Sequence, residues 1–472
     1  MRRGEDQVVF DALLREQLSP FIAKVFESVT PGNPFLPNWH IDLMADRLEQ
    51  CVRGDIRRLL ITVPPRSLKS ICTSVALPAW VLGRDPTRRI ICASYAAELS
   101  TKLARDCRTV MDSLWYRQLF PGTQLQRSAE LELETTRKGM RYATSVGGTL
   151  TGLGAGLIII DDPLKPQDAY SKTKREGVKQ WYDTTLYSRL DNKATDVIIV
   201  VMQRLHVDDL VAHVLEKEPW EHLDLPALAD REQRFTLTTG REVGRAAEDA
   251  LHEERESAAV LQTIRQNIGS LTFSAQYLQR PMPEEGNLVK WKWFPRYDQP
   301  PAFRAGKDRI IQSWDTASKV SELADYSVCT TWQQQGNISY LLEVYRAKLD
   351  FPSLKKAVLA QGLKWRARTI LIEDSASGTA LIQAIRDDRI EGFPRPIGVT
   401  AQGDKIMRVH AHTATLEAGH VFLPQKAPWL EAFQEEILAF PGSRHDDQVD
   451  SLSQFLTWRE ERRYRVAGCR SF

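Results

Sequence analysis

Fully apolar runs alternate with helix-patterned segments along the first half of the chain. The runs at 58–63, 89–94, 157–160 and 197–202 are rich in β-branched residues. A strand without polar alternation is typically buried on both faces, and parallel strands need connections long enough to hold a helix. The pattern therefore predicts an α/β domain over residues 1–225, with a mostly parallel sheet between helices.

The pattern changes twice after this domain. Residues 226–305 are polar and irregular, with a proline-rich exit at 280–286, and we interpret them as a connecting subdomain and linker. From 306 onward, three antiparallel strands come first, followed by a helix, a buried strand and further helices. That order predicts a ribonuclease H-like fold for 306–472.

Composition is ordinary for a globular protein of several domains. The chain has 472 residues, of which 42% are hydrophobic and 26% charged, and this excludes disordered, collagenous and coiled-coil proteins. A formal net charge of +2 gives no global attraction for nucleic acid. The six cysteines form no Cys-x-x-Cys pair, so neither a zinc knuckle nor a compact disulfide framework is encoded.

No apolar run approaches the ~18 residues of a membrane span, and we expect an intracellular protein with no membrane partner.

A candidate phosphate-binding loop follows the first predicted strand. The segment Pro-Pro-Arg-Ser-Leu-Lys-Ser at 64–70 joins that strand to a helical pattern, which is the context such a loop needs. Backbone N–H groups would hold the phosphates, Lys69 would reach the terminal phosphate oxygens, and the Ser70 hydroxyl would bind Mg²⁺. Val63 and Leu68 stand where the usual pattern has glycines. The alternative interpretation is a Lys-Ser pair that only begins a helix.

Two later strands end in polar residues. The run at 157–160 is followed by Asp161 and Asp162, and the run at 197–202 is followed by Gln203. In a P-loop ATPase, Asp161 would hold Mg²⁺, Asp162 would polarise the attacking water, and Gln203 would sense the γ-phosphate. Each feature has a structural alternative, an Asp-Asp-Pro turn or a capping glutamine. Their order along the chain favours ATP hydrolysis.

Acidic residues also mark three distant elements of the last third. Asp315 ends the first strand of the predicted ribonuclease H-like sheet, Glu373 ends the fourth, and Asp446 and Asp447 open the last helix. That fold would bring them together, and two Mg²⁺ or Mn²⁺ ions ~3.5–4 Å apart between them would support phosphodiester cleavage. The alternative is that Asp446 and Asp447 only favour a helix N-terminus electrostatically. We predict all four as metal ligands.

With these motifs in view, the chain resembles the large terminase subunit of tailed bacteriophages, a DNA-packaging ATPase and nuclease. The similar segments are 38–41, 64–70, 157–163, 201–210, 273–281, 314–315, 372–374, 405–408, 419–424 and 440–450. The fold implied is a P-loop (ASCE-type) ATPase domain followed by a ribonuclease H-like nuclease. The chain departs from the family at Leu68, where relatives have glycine, and at Asp162, where many have Glu.

The resemblance also implies roles for individual residues. ATP and Mg²⁺ would be the cofactors, with Mn²⁺ as an alternative at the nuclease site. Arg66 would act in cis on the transition state, with Arg137 and Arg141 as alternatives. The catalytic residues would be Arg66, Asp162, Asp315, Glu373 and Asp447, and the nucleotide site would comprise Arg66, Ser67, Leu68, Lys69, Ser70, Asp161 and Gln203.

The implied activity is ATP-driven movement of double-stranded DNA into a procapsid, combined with cleavage of concatemeric DNA. The implied partners are double-stranded DNA, a small terminase subunit and the portal protein. The chain would form a homo-oligomeric ring when docked and would be a monomer in solution. It would act in the host cell cytoplasm without remaining in the virion.

Three other functions compete with this interpretation. The first is a helicase-like or remodelling ATPase with an inactive ribonuclease H-like DNA-binding domain. The second is a transposase or integrase, which leaves the ATPase-like half unexplained. The third is a capsid-associated structural subunit, which gives no reason for the acidic strand ends.

Overall fold

The structure is a computed structural model that describes residues 2–150, 152–282, 288–316, 326–401, 404–442 and 445–468. It separates into two compact units. The N-terminal unit comprises Met1–Arg265 and Ser270–Met282, and the C-terminal unit comprises Gln266–Gly269 and Pro283–Phe472. Most of the predicted connecting segment thus groups with the N-terminal unit, and the three-domain division stays a prediction. Among the described helices, none is long and apolar enough to cross a membrane.

Helices and strands alternate through most of residues 2–282. The helices are α1 (Arg2–Glu16), α2 (Leu18–Val29), α3 (Trp39–Arg53), α4 (Leu77–Arg84), α5 (Ala97–Asp112), α6 (Leu114–Leu119), α7 (Lys172–Trp181), α8 (Leu210–Lys217), α9 (Ala258–Ile268) and α10 (Ser270–Gln276). The strands are β1 (Arg58–Thr62), β2 (Arg89–Ser94), β3 (Leu125–Ser128), β4 (Glu132–Thr135), β5 (Met140–Ser145), β6 (Leu157–Asp161), β7 (Val197–Met202), β8 (Glu221–Asp224), β9 (Gln233–Thr236) and β10 (Glu242–Arg245). Two π-helical segments, Ile71–Ala76 and Tyr182–Leu186, interrupt the regular pattern.

An eight-stranded sheet forms the centre of the N-terminal unit, in the order β3-β4-β5-β2-β6-β7-β1-β8. All pairs from β5 to β8 are parallel, and only the edge pairs β3-β4 and β4-β5 are antiparallel. Successive residues of β1 face opposite sides: Leu59 and Ile61 pack into one buried cluster, and Leu60 packs into another. The predicted sheet, buried on both faces, is confirmed.

The strand order has a consequence for the candidate ATPase residues. Strand β7 lies between β1, which leads into the candidate phosphate loop, and β6, which ends in Asp161. Because all three strands are parallel, their carboxyl ends lie at the same edge of the sheet. The loop, the acidic residues and the residue after β7 therefore meet at that edge.

The described residues of the C-terminal unit form a second sheet and six α-helices. Its strands are β11 (Arg296–Tyr297), β12 (Arg309–Asp315), β13 (Ser327–Gln335), β14 (Ile338–Ala347), β15 (Thr369–Glu373), β16 (Ile397–Val399) and β17 (Val421–Pro424). The helices are α11 (Phe351–Lys364), α12 (Ala376–Asp387), α13 (Lys405–Ala411), α14 (Thr413–Glu417), α15 (Leu430–Ala439) and α16 (Asp447–Gly468).

The order of this second sheet is β11-β17-β14-β13-β12-β15-β16. Strands β12, β13 and β14 pair antiparallel, whereas β15 pairs parallel with β12. The first and fourth strands of the predicted ribonuclease H-like domain are therefore neighbours, as the sequence predicts, and the predicted fold class is confirmed.

Helix α16 packs against the first strands of this sheet. Phe455 stacks on Trp332 with ring centroids 4.4 Å apart and an interplanar angle of 2°, and both side chains are fully buried. Ser451 Oγ donates to the Ser313 carbonyl at 2.7 Å, and Ser313 Oγ donates to the Ser451 carbonyl at 2.8 Å. These contacts determine where the start of α16 lies relative to the end of β12.

We expect Phe455→Ala to destabilise the C-terminal unit by about 3–5 kcal/mol, because it leaves a cavity against Trp332. The measurement is chemical denaturation of the full chain, followed by tryptophan fluorescence. The matched control is Leu363→Ala, whose side chain is 60% exposed and whose loss should change stability by less than about 0.5 kcal/mol. Equal stability of the two variants would contradict the packing described here.

Candidate functional site

The loop between β1 and the following helix has an unusual backbone. Arg66 and Leu68 adopt left-handed conformations, with φ of 64° and 59°. A residue with a side chain costs roughly 1–2 kcal/mol in this conformation, which is why such positions usually hold glycine. The Leu68 side chain is half-buried against the hydrophobic core of the unit, and this packing offsets part of the cost. The loop therefore keeps a glycine-type conformation without glycine.

Five predicted residues meet at the end of this loop. Lys69 Nζ lies 2.9 Å from Asp162 Oδ2, and Ser70 Oγ donates to Asp161 Oδ1 at 3.0 Å. The backbone N–H of Gln203 donates to Asp162 Oδ1 at 3.3 Å. The structure thus brings together Lys69, Ser70, Asp161, Asp162 and Gln203, which sequence order alone had associated.

The backbone also constrains Asp162, which follows β6. Its φ is 46°, again in the left-handed region. Its N–H donates to the Val201 carbonyl at 2.9 Å, and its carbonyl accepts from the Tyr95 N–H at 3.0 Å. Strained residues of this kind concentrate at functional sites, where the surrounding structure holds them in place.

Asp161 is the most buried acid of this site. Burial first, and the neighbouring Asp162 charge second, raise its pKa to about 6, although Lys69 and two hydroxyl groups oppose the rise. One hydroxyl is that of Ser70, and the other is that of Ser74, which donates to Asp161 Oδ2 at 2.8 Å. Mg²⁺ prefers oxygen donors of this type. The residues present therefore fit Mg²⁺, which Asp161 and Ser70 would hold.

The remaining predicted residues of this site differ in exposure. Ser67 is buried in the loop, whereas Arg66 and Arg137 are exposed. Arg141 is only 1% exposed, and its Nη2 donates to the Ser74 carbonyl at 3.1 Å. Of the three candidate arginines, Arg141 is therefore the one that is buried in the protein interior.

The two predicted strand-end acids of the C-terminal unit are neighbours. Trp314 is paired with Ile372 in the parallel register of β12 and β15, so Asp315 and Glu373 come next to each other. Gly378 lets the first turn of α12 lie close to the end of β15, because an added Cβ there would lie 1.8 Å from the Glu373 carbonyl oxygen.

Four carboxyl groups act together at this point. Burial raises the pKa of Asp315 well above its usual range, and the charges of Asp450, Glu373 and Asp447 raise it further, with a hydrogen bond to Glu373 contributing. Asp447 and Asp450 lie on the same face of α16, one turn apart. Sequence analysis missed Asp450, although its spacing of three residues from Asp447 was a usable signal.

Asp446 is placed differently. Its carboxylate pairs with Lys405 Nζ at 2.7 Å, and its side chain is 34% exposed. Lys405 also contacts Asp450 at 2.8 Å, and Arg408 contacts Asp450 at 2.7 Å. Two side-chain cations, Lys405 and Arg408, therefore compensate the charges of Asp446 and Asp450. The contacts of Asp446 are with Lys405, and its metal-ligand role stays a prediction.

A buried glutamate positions the start of α16. Glu436 accepts hydrogen bonds from the Gln448 backbone N–H and from Gln448 Nε2, both at 2.6 Å. A carboxylate at a helix N-terminus satisfies N–H groups that the helix cannot. Sequence analysis gave Glu436 no role, and nothing local distinguishes it from the other glutamates of α15.

The donor set of this cluster fits a divalent cation in its chemistry. Among the residues that the structure describes, no group of three or more His, Cys, Asp or Glu side chains already has the arrangement of a metal site. After burial, the charges of Asp450, Glu373 and Asp447 are the causes that raise the pKa of Asp315, so these carboxylates repel one another when ionised. Hard, oxygen-preferring ions such as Mg²⁺ and Mn²⁺ would relieve this repulsion between Asp315, Glu373 and Asp447.

Comparisons with known proteins agree with this architecture. Residues 312–457 match the model of the terminase RNaseH-like domain family. A crystal structure of the large terminase from the thermophilic bacteriophage D6E is 12% identical in sequence, with 92% of this chain and 97% of that chain covered and a TM-score of 0.50. A sequence comparison with curated proteins finds no match.

Two further structures are similar at lower TM-scores. The D6E large terminase in complex with ADP is 12% identical, covering 93% of this chain and 98% of that chain, with a TM-score of 0.49. The large terminase of bacteriophage HK97 is 12% identical, covering 87% and 90%, with a TM-score of 0.36. The predicted resemblance is confirmed in two respects: residues 312–457 match the terminase RNaseH-like domain family, and the fold of the chain is similar to that of the D6E large terminase with the TM-score of 0.50.

Proposed function

We propose that this chain is the large subunit of a phage DNA-packaging terminase, with an ATPase in the N-terminal unit and a metal-dependent DNA nuclease in the C-terminal unit. The observation that carries the proposal is the meeting of Lys69 and Ser70, from the loop after β1, with Asp161 and Asp162 at the end of β6. A lysine, a hydroxyl and two carboxylates at one sheet edge are the groups that phosphoryl transfer needs.

In this proposal each residue of the first site has one task. Lys69 contacts the terminal phosphate oxygens, and Asp162 orients the attacking water. Asp161 and Ser70 would hold Mg²⁺, which when bound would neutralise the charge that develops on the phosphates. Arg66 is exposed at the loop and is our candidate for the arginine that stabilises the transition state.

The nuclease follows from the second cluster. Asp315, Glu373 and Asp447 would hold divalent cations, and Lys405 and Arg408 offset the charge of Asp446 and Asp450. Two bound ions would activate a water and stabilise the leaving oxygen of a DNA phosphodiester. The match of residues 312–457 to a terminase RNaseH-like domain supports DNA as the substrate.

The wider assembly is part of the same proposal. We expect double-stranded DNA, a small terminase subunit and a portal protein as partners, a ring of identical subunits on the procapsid, and action in the host cytoplasm. This part is supported by the terminase fold. Packaging reconstituted with purified procapsids would test it, since a chain that hydrolyses ATP without moving DNA would fit a remodelling ATPase instead.

We expect Lys69→Ala to lower the ATPase kcat by about 10²-fold or more, because it removes a charge that stabilises the transition state. The measurement is phosphate release by the purified full chain. Lys102→Ala is the matched control, since Lys102 is an exposed partner of Asp106 on a helix surface. Unchanged hydrolysis by Lys69→Ala would show that the loop is not a phosphate site.

We expect Asp315→Ala and Glu373→Ala each to lower Mn²⁺-dependent cleavage of plasmid DNA by about 10²-fold or more, because each removes a metal ligand. Gel electrophoresis of the digested plasmid is the measurement. Asp388→Ala is the control, because Asp388 is a partly exposed partner of Lys355 outside the cluster. Cleavage at the unaltered rate by both cluster variants would exclude them from the metal site.

We expect Asp315→Asn to raise the unfolding temperature of the C-terminal unit at pH 8 but not at pH 4. The pKa of Asp315 is raised on folding, so its ionisation lowers stability as pH rises above the unfolded value of about 3.9, and asparagine cannot ionise. A gain of about 1 kcal/mol corresponds to roughly 2–4 °C. Mn²⁺ should stabilise the unaltered chain more than the variant, as followed by calorimetry. A variant less stable than the unaltered chain at pH 8 would contradict the repulsion inferred at this cluster.

A further inference from the structure

Arg141 is a fully buried arginine in the core of the N-terminal unit. It lies in β5, is 1% exposed, and donates from Nη2 to the Ser74 carbonyl at 3.1 Å. Its Nε and Nη1 atoms have no hydrogen-bond partner among the residues that the structure describes. A buried guanidinium with two N–H-bearing atoms unsatisfied destabilises a fold. A residue of this kind calls for a functional reason.

The carbonyl that Arg141 binds belongs to an irregular helix. The helix after the phosphate loop begins as the π-helix Ile71–Ala76 and becomes α-helical only at Leu77. Pro78 lies four residues after Ser74, and proline has no N–H to offer that carbonyl. Arg141 supplies a donor from outside the helix. The arginine therefore fixes the helix at the turn that carries Ser74.

Ser74 connects this turn to the acidic strand end. Its hydroxyl donates to Asp161 Oδ2 at 2.8 Å, while Ser70 donates to the other oxygen of the same carboxylate. Both oxygens of Asp161 thus accept hydrogen bonds from the first turns after the loop. A continuous set of contacts runs from Arg141 through Ser74 to Asp161.

The sheet register places Arg141 and Asp161 on either side of one buried residue. Arg141 is paired with Ile90 and Asp161 with Ser94 on the intervening strand β2, and Cys92 lies midway between them. Both charges act on the Cys92 thiol, whose pKa burial raises, with Arg141 opposing the rise and Asp161 adding to it. Arg141 therefore lies near Asp161 in the interior of the unit, and its guanidinium is buried instead of exposed at the phosphate loop.

We propose that Arg141 is a positioning residue for the Mg²⁺–nucleotide site: it holds Ser74 in place, and Ser74 orients the Asp161 carboxylate toward the metal. The proposal rests on the ATPase function proposed above. It assigns Arg141 a role inside its own subunit, in place of contact with the transferred phosphate. Partners of metal ligands typically contribute about 10–100-fold to metal affinity.

The role predicts a separation between two parts of nucleotide binding. Lys69 and the loop backbone hold the phosphates with or without metal, whereas Asp161 contributes only through Mg²⁺. Loss of Arg141 should therefore reduce the gain in ADP affinity that Mg²⁺ provides and leave binding in EDTA unchanged. A general loosening of the fold would weaken both.

The test is equilibrium binding of fluorescent ADP to the full chain, with Mg²⁺ or with EDTA. We expect Arg141→Met and Ser74→Ala each to lose about tenfold of the Mg²⁺-dependent gain, with binding in EDTA within twofold. Arg141→Lys, which keeps a charged donor, should retain most of the gain. The double variant Arg141→Met/Ser74→Ala should lose no more than the worse single variant, because both act through one set of contacts.

Arg58→Met is the matched control. Arg58 is also a buried arginine, held by Glu218 at the opposite end of β1, so its loss should lower the unfolding temperature without changing the Mg²⁺-dependent gain. Two results would overturn the positioning role. One is an Arg141→Met variant that keeps the full Mg²⁺-dependent gain in ADP affinity. The other is a double variant whose fold-loss of that gain equals the product of the two single-variant losses. If Arg141→Met does not fold, Arg141→Gln replaces it in the same binding measurement. Its side chain is shorter than that of arginine, so we expect the same loss of the Mg²⁺-dependent gain. No Mg²⁺-dependent gain in the unaltered chain would instead contradict the proposed nucleotide site.

Discussion

Both candidate sites depend on carboxylates that buried strands carry to the edge of a sheet. Parallel pairing aligns the strand ends, so Asp161 lies level with Val201 on its neighbour, and Asp315 comes next to Glu373. Burial makes the charged form of a carboxyl costly. The pKa of Asp161 accordingly rises to about 6, and that of Asp315 rises well above its usual range. Lys69, Ser70 and Ser74 lower the pKa of Asp161, whereas the charges of Asp450, Glu373 and Asp447 raise that of Asp315.

The two units compensate this charge in different ways. In the N-terminal unit, hydroxyls bind both oxygens of Asp161, and Lys69 pairs with Asp162. In the C-terminal unit, Lys405 and Arg408 pair with Asp446 and Asp450, and among the described residues no ion pair compensates Asp315 or Glu373. The negative charge that remains is what an oxygen-preferring divalent cation would bind. Ionisation of these buried carboxyl groups therefore lowers the free energy of unfolding, and it does so at the residues to which we assign the chemistry.

Much of the fold was predictable, because its signals are local. The bounds of β2 and β7 agree with the apolar runs at 89–94 and 197–202, since such runs have few alternatives to a doubly buried strand. Strands β3, β4 and β5 at one end of the sheet were not predicted, because short strands depend on their neighbours for pairing. The left-handed conformation of Leu68 was also hidden, since only its packing against the core makes a glycine-type angle tolerable there.

The sequence by itself determined which side chains lie at strand ends and loop starts, because strand pattern and chain order are local properties. Lys69 and Asp162 were associated in this way, and the structure joins them. Only the tertiary structure distinguished Asp446 from Asp450, because both pair with Lys405 but only the buried Asp450 acts on the pKa of Asp315 as its strongest charged neighbour. It alone also revealed the contact of Arg141 with the helix after the loop. Such contacts join residues far apart in the chain, and no local pattern encodes how a helix packs against a distant strand.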